Sequence, residues 1–287
     1  MSPELITSAK NPKFKNLLLL QEKSKARREQ GRFVVEGQRE LEHCLEAGYT
    51  VKTIFVCPEI FGEADQNLSD SRSRTKLFRL FFGEKVLVRE GRKDSEINVI
   101  ELTPELYRKA AYREGTEGII AEVEARAISL DRLVLPENPL IVVLEAVEKP
   151  GNLGAILRSA DAAGADAVIV CDPLTDLYNP NLIRASIGAV FTVPTVAASS
   201  EKVIPWLKAK GIRILTAQLQ DSSLYYDTPM TGGTAIVMGT ESTGLTDVWR
   251  AAADAHIRIP MLGNLDSLNV SISAAILLYE AVRQRKS

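Results

Sequence analysis

At 287 residues, 45% apolar and 25% charged, the chain has the balance of one large or two ordinary globular domains and not of a disordered polymer. Its 18 glycines and 13 prolines exclude collagen-like or low-complexity character. No apolar run approaches a membrane span, the strongest being Leu17–Leu20. The net charge of −2 conceals two basic stretches in the first third of the chain.

In chain order, Met1–Glu4 lack the basic and apolar regions of a secretion leader, which predicts a cytoplasmic protein without membrane attachment. A leucine-, lysine- and arginine-rich segment predicts a helix over Asn11–Gln30 that Gly31 closes. Between Lys10 and Arg32 eight basic residues (Lys10, Lys13, Lys15, Lys23, Lys25, Arg27, Arg28, Arg32) face only Glu22 and Glu29. Residues Arg72–Lys93 repeat that excess, again eight against two. The two stretches are either a phosphate-binding surface or two solvated faces.

Strands are predicted at Phe33–Glu36, Thr53–Cys57 and Ile119–Val123, and helices at Gln38–Ala47 and Thr103–Tyr112. The proline-rich stretch Ile128–Pro139 reads as a connector. This predicts an N-terminal domain over residues 1–128, a linker over 129–139 and a C-terminal domain over 140–287.

Beyond the connector, continuous apolar runs predict buried parallel strands at Leu140–Leu144, Ala167–Cys171, Ile212–Ala217, Ala235–Met238 and Ile257–Ile259. Helices are predicted between and after them at Asn152–Ala163, Asn181–Ile187, Glu201–Lys210 and Asn269–Arg285. The alternation predicts an α/β fold with a parallel sheet and a site at the carboxyl ends of its strands.

Chemistry-bearing residues are few. Cys44, Cys57 and Cys171 form no CxxC pair and read as buried free thiols, and two histidines leave little for a metal centre or a hydrolase triad. No dinucleotide or phosphate-loop fingerprint occurs, which weighs against an NAD- or ATP-dependent enzyme.

Three segments at strand ends stand out. In NLGAILRSADAAGA, Leu153, Ile156, Leu157 and Ala160 form a packing stripe, while Arg158 stands off it. Arg158 is expected to lean back over the small Gly154 and Ala155 toward the helix start, where a phosphate is favoured, or else to pair with Asp161. In IVMGTESTGL a strand enters a glycine-bearing turn around Glu241. In IPMLGNLDSLNVSISAAILLYEAVRQR, Ser267 and Asn269 are natural helix caps, and the helix they precede is apolar on two stripes, which suggests a second subunit.

In this order the three segments resemble the SpoU (TrmH-type) RNA 2′-O-ribose methyltransferases of the SPOUT superfamily, and ITSAKNPKFKNLLLLQEKSKARREQGRFVVEGQREL looks like the substrate-binding domain often attached to them. The resemblance implies a smaller N-terminal α/β domain for RNA selection. It also implies a C-terminal parallel-sheet domain with a deep trefoil knot, through which the chain dimerises with a second copy. It implies S-adenosyl-L-methionine as cofactor and no metal. The family's catalytic set falls on Asn152, Arg158, Glu241, Ser267 and Asn269, and its cofactor contacts on Thr216, Ala217, Gly239, Ile259, Met261 and Leu268. Lys149 and Thr240 depart from the residues usual there. The attached domain looks more like the ribosomal-RNA members than the transfer-RNA ones. A transfer-RNA substrate, or a non-catalytic RNA-binding or ribosome-assembly protein of the same fold, stays open as an alternative.

Overall fold

The computed structural model describes residues 3–61, 97–112, 117–126, 128–240 and 243–286. The basic stretch Arg72–Lys93 and the candidate Glu241 therefore lie outside the described residues. The chain divides into two compact units: Met1–Arg126 with Tyr178–Arg184, and Ala127–Leu177 with Ala185–Ser287.

The first unit is built on a five-stranded mixed sheet of β1 (Glu4–Ile6), β2 (Arg32–Glu36), β3 (Val51–Val56), β4 (Asn98–Leu102) and β5 (Ile119–Glu124), in spatial order β1-β4-β3-β5-β2. The expected long helix is two, α1 (Pro12–Glu22) and α2 (Ser24–Gln30), because Lys23 is extended between them. The break is sealed from the side: buried Arg27 donates to the carbonyls of Leu20 and Gln21, which the end of α1 leaves open. Helix α3 (Gln38–Glu46) precedes β3, and Thr103 caps α4 (Pro104–Ala110). Phe14, Leu17 and Leu20 of α1 join Val34, Phe55, Ile100 and Ile120 of the sheet in one core.

The stretch Tyr178–Arg184, which the sequence reading places in the second domain, belongs to this unit. The Tyr178 ring stacks on Phe33 at 4.2 Å, and its hydroxyl accepts from the Arg126 amide and donates to the Arg126 carbonyl.

The second unit holds β6 (Leu140–Glu145), β7 (Ala167–Cys171), β8 (Thr195–Ala198), β9 (Arg213–Ala217), β10 (Ser223–Leu224), β11 (Thr234–Met238) and β12 (Ala255–Arg258). They form a seven-stranded sheet, parallel at every pairing, in the order β10-β12-β9-β11-β6-β7-β8. The chain lays β7 and β8 to one side of β6, then crosses to the other side for β9 to β12, so the topological switch lies between β6 and β11. The intervening helices are α5 (Pro150–Ala163), α6 (Pro180–Ala185, nearly all of it in the first unit), α7 (Ala189–Thr192), α8 (Ser200–Ala209), α9 (Asp247–Ala252) and the terminal α10 (Val270–Lys286).

One sheet face buries Ile141, Val143, Ile169, Ile214 and Val237 against Val203, Leu207 and Trp249. Leu133 from the expected connector is buried in that core, with Ile128, Leu130 and Leu135 packed against it. By the pleat, Val142, Leu144, Val168 and Ile236 point to the other face, and they are equally buried. All three cysteines are buried and free, and burial pushes the Cys171 thiol up to about 12. Among the described residues no helix is long and apolar enough to cross a membrane.

Gly154 fills a different role from the one expected. A Cβ there would lie 2.5 Å from the Ala185 Cβ and 2.8 Å from the main chain of Ala185 and Ser186, so its smallness admits a neighbouring segment of the chain. Around Gly151 the same atom meets open space. Gly154→Ala is therefore expected to destabilise the protein by about 1–3 kcal/mol through overpacking, whereas Gly151→Ala is neutral or stabilising by up to about 1 kcal/mol. Denaturant titration of the two variants reads the difference.

Candidate active site

Parallel pairing of Leu140–Leu144 with Thr234–Met238 ends both strands at the same level, and the turns that follow stand side by side. Between them lies a cavity of about 340 Å³ lined by Val147, Glu148 and Lys149 after β6, Asn152 on α5, Gly239 and Thr240 after β11, and Val270 at the start of α10. It occupies the switch point of the sheet, where open parallel folds place ligands.

The wall after β11 is a closed loop. Thr240 and Gly244 exchange main-chain hydrogen bonds of 3.2 and 3.1 Å, and the Thr240 hydroxyl accepts from the Thr243 amide. A Cβ at Gly239 would lie 2.2 Å from the Gly244 carbonyl oxygen, so glycine at 239 is required by the loop itself. Gly244 supplies the left-handed turn, with φ +68°.

The third segment reaches the same place. The Asn269 side-chain amide donates to the Asn152 Oδ1 at 3.3 Å, joining the first motif to the third. The Asn269 Oδ1 accepts from the Ser271 amide and hydroxyl, so the residue also starts α10. Ser267 is exposed and donates to Asp266.

The remaining expected residues are distributed more widely. Arg158 is exposed on α5, about 9 Å along the axis from Asn152, and does not line the cavity. The fallback pairing with Asp161 is absent: Asp161 accepts from Thr192 at 2.7 Å, and Arg158 has no ion pair among the described residues. Thr216 is fully buried, its hydroxyl meets the His256 Nδ1 at 2.6 Å, and it does not line the cavity. Ala217, Ile259 and Met261 are half-buried and Leu268 is exposed; none lines the cavity, and Ile259 falls just beyond β12 instead of within it. Among the described residues no group of three or more His, Cys, Asp or Glu side chains is placed to hold a metal ion.

One participant carries no role in the sequence reading. Glu145 ends β6, is only 5% exposed, and accepts from both the amide and the hydroxyl of Thr246. Its one signal in sequence is an acidic residue closing an otherwise apolar strand.

In the first unit, the basic stretch is partly consumed by structure. Lys13 pairs with Glu4, Lys25 with Glu29 and Arg32 with Glu122, and Arg27 is buried. Lys10, Lys15, Lys23 and Arg28 are left exposed without an ion pair among the described residues.

Comparison with known proteins places these features. The model of the SpoU rRNA methylase family matches residues 139–279, and that of an MRM3-like substrate binding domain matches residues 11–121. The chain is 30% identical to a 23S rRNA (uridine(2479)-2′-O)-methyltransferase of Streptomyces viridochromogenes, over 98% of this chain and 92% of that one. It is 28% identical to the 23S rRNA (guanosine(2553)-2′-O)-methyltransferase RlmP of Bacillus subtilis, over 96% and 97%. Among solved structures, the SpoU methyltransferase AviRb of S. viridochromogenes in complex with AdoMet superimposes with a TM-score of 0.80 at 29% identity, covering 96% of this chain and 99% of that one.

The cap and cross-link at Asn269 yield a local test. Asn269→Ala is expected to cost about 1 kcal/mol through loss of the helix cap, and Asn269→Asp to keep the cap while losing the bond to Asn152. Thermal unfolding of the two variants distinguishes these contributions.

Proposed function

Because the chain belongs to the SpoU rRNA methylase family, we propose that it methylates a ribose 2′-hydroxyl of ribosomal RNA in the cytoplasm, using S-adenosyl-L-methionine. The observation that carries this reading is the meeting of the three motif segments around one cavity at the β6/β11 switch point. The two relatives are named for different bases but for the same 2′-oxygen, so the shared motifs answer to the ribose.

The residues present suit the cofactor. The cavity falls within the ~300–1,000 Å³ of small-molecule sites, and Val147 and Val270 offer apolar walls beside the main chain of Gly239 and Thr240. Gly239 and Thr240, with the apolar walls at Val147 and Val270, would hold it, while Thr216, Ala217, Ile259, Met261 and Leu268, the other positions that the family resemblance implies, lie off this cavity. When bound, the cofactor supplies an electrophilic methyl group.

This chain's own residues supply alignment and charge. The guanidinium of Arg158 stays protonated, so it serves as a clamp and not as a base. It holds the target nucleotide's phosphate and stabilises negative charge developing on the 2′-oxygen, while the hydroxyl proton leaves to the phosphate or to water. Asn152 and Asn269, joined side chain to side chain, orient the nucleotide with Ser267, and Glu241 fixes Arg158 or the loop amides.

The first unit selects the RNA, and the second carries the chemistry as a knotted domain whose tail threads a loop. Ile272 and Tyr279 are each 51% exposed on the unburied stripe of α10, which supports a homodimer through this domain.

Arg158→Ala is expected to lower methyl incorporation into ribosomal RNA about a hundredfold or more, with affinity for S-adenosylhomocysteine by calorimetry within about twofold of wild type. Near-normal turnover would overturn the assignment. Replacing Lys15, Lys23 and Arg28 together by glutamate should weaken RNA binding and flatten its salt dependence by about 0.7 in log–log slope for each phosphate no longer neutralised. Ribose-methylation mapping with and without the protein should change at a ribosomal site, and a change confined to transfer RNA would reassign the substrate.

A further inference from the structure

Thr246 precedes α9 at the position where a threonine side chain ordinarily caps its own helix, yet it makes no such bond. Its hydroxyl instead donates to the Glu145 Oε1 at 2.7 Å, and its amide to the Oε2 at 2.9 Å. Both oxygens of a nearly inaccessible carboxylate are thus committed to one residue, 101 positions away in sequence.

The two ends of this contact adjoin opposite walls of the cavity. Glu145 is followed by Ala146 and then by the lining residues Val147, Glu148 and Lys149. Thr246 closes the loop that begins with Gly239 and Thr240, which line the other side. Ala146 adopts φ +51°, a left-handed conformation unfavourable for alanine, and its amide donates to the Cys171 carbonyl at 2.9 Å. The chain therefore turns sharply between the carboxylate and the cavity wall, at a joint held on both sides. Strained backbone over-determined by its neighbours is a mark of a functional position.

We infer that Glu145 is a positioning residue for the donor site: through Thr246 it sets the spacing between the 147–149 wall and the 239–240 wall. The inference rests on the functional reading above and adds to it a residue that touches neither donor nor RNA. A charge-assisted bond from a hydroxyl and a second from an amide anchor the loop more strongly than a neutral pair would.

The test uses the full-length protein and S-adenosylhomocysteine as probe. Thr246→Val removes one bond without burying a new charge, and Glu145→Gln weakens both. Each is expected to lower affinity for the probe about tenfold by calorimetry and to raise the KM for the methyl donor to match, with kcat at saturating donor little changed. Thr246→Ser, which keeps the hydroxyl, is expected to restore the affinity. The double variant Glu145→Gln/Thr246→Val should fall short of the sum of the two effects, because both act on one contact. Hydrogen exchange should show the Thr246 amide losing protection in Glu145→Gln. Wild-type affinity and KM in both single variants would overturn this inference alone. Absence of probe binding by the wild-type protein would overturn the functional reading and this inference with it.

Discussion

The second unit depends on the parallel register of β6 with β11. Five residue pairs, Leu140–Leu144 against Thr234–Met238, hold together two strands that are 94 positions apart at their first paired residues. All ten side chains are buried, so a slip of one residue would exchange the two faces of each strand and misplace both turns that follow. The cavity exists because those turns end level.

Helix α10 works as a strut along this strand pair. At one end Asn269 reaches Asn152, beside the carboxyl ends of the strands. At the other, Arg285 donates to the carbonyls of Asn138, Pro139, Met230 and Gly232, just before the strands begin, and Gln284 bonds both to Met230 and to Thr228. The helix's 17 residues span about 25 Å, somewhat more than the strands they bridge. Packing of its buried stripe (Val270, Ala274, Leu277, Leu278, Ala281) supplies the adhesion, and the polar contacts at its ends fix its position along the strands.

Much of this was legible in the sequence because continuous apolar runs have one physical meaning in an alternating α/β pattern. The runs at Leu140, Ala167, Ile212 and Ala235 became strands close to their expected bounds. What escaped was short or set by distant partners. Strand β1 has three residues and β10 has two, and Thr195–Ala198 is a strand only because β7 offers an edge. Lys23 broke a helix whose composition favoured continuity, since a buried arginine four residues on took over the capping. Gly154 was read as making room for a side chain, whereas the atoms that need the space belong to the chain's own neighbouring segment. The motif residues were visible as types, but periodicity carries no information on which of them would meet: Asn152 and Asn269 do, and Arg158 stands apart on an exposed face.

Determination of the crystal structure with S-adenosylhomocysteine bound tests the central claim most directly. The ligand is expected to lie between Val147–Asn152 and Gly239–Thr240, with its sulfur open toward the side of α5 that carries Arg158. A ligand seated elsewhere on the chain, with that cavity filled by solvent, would contradict the claim.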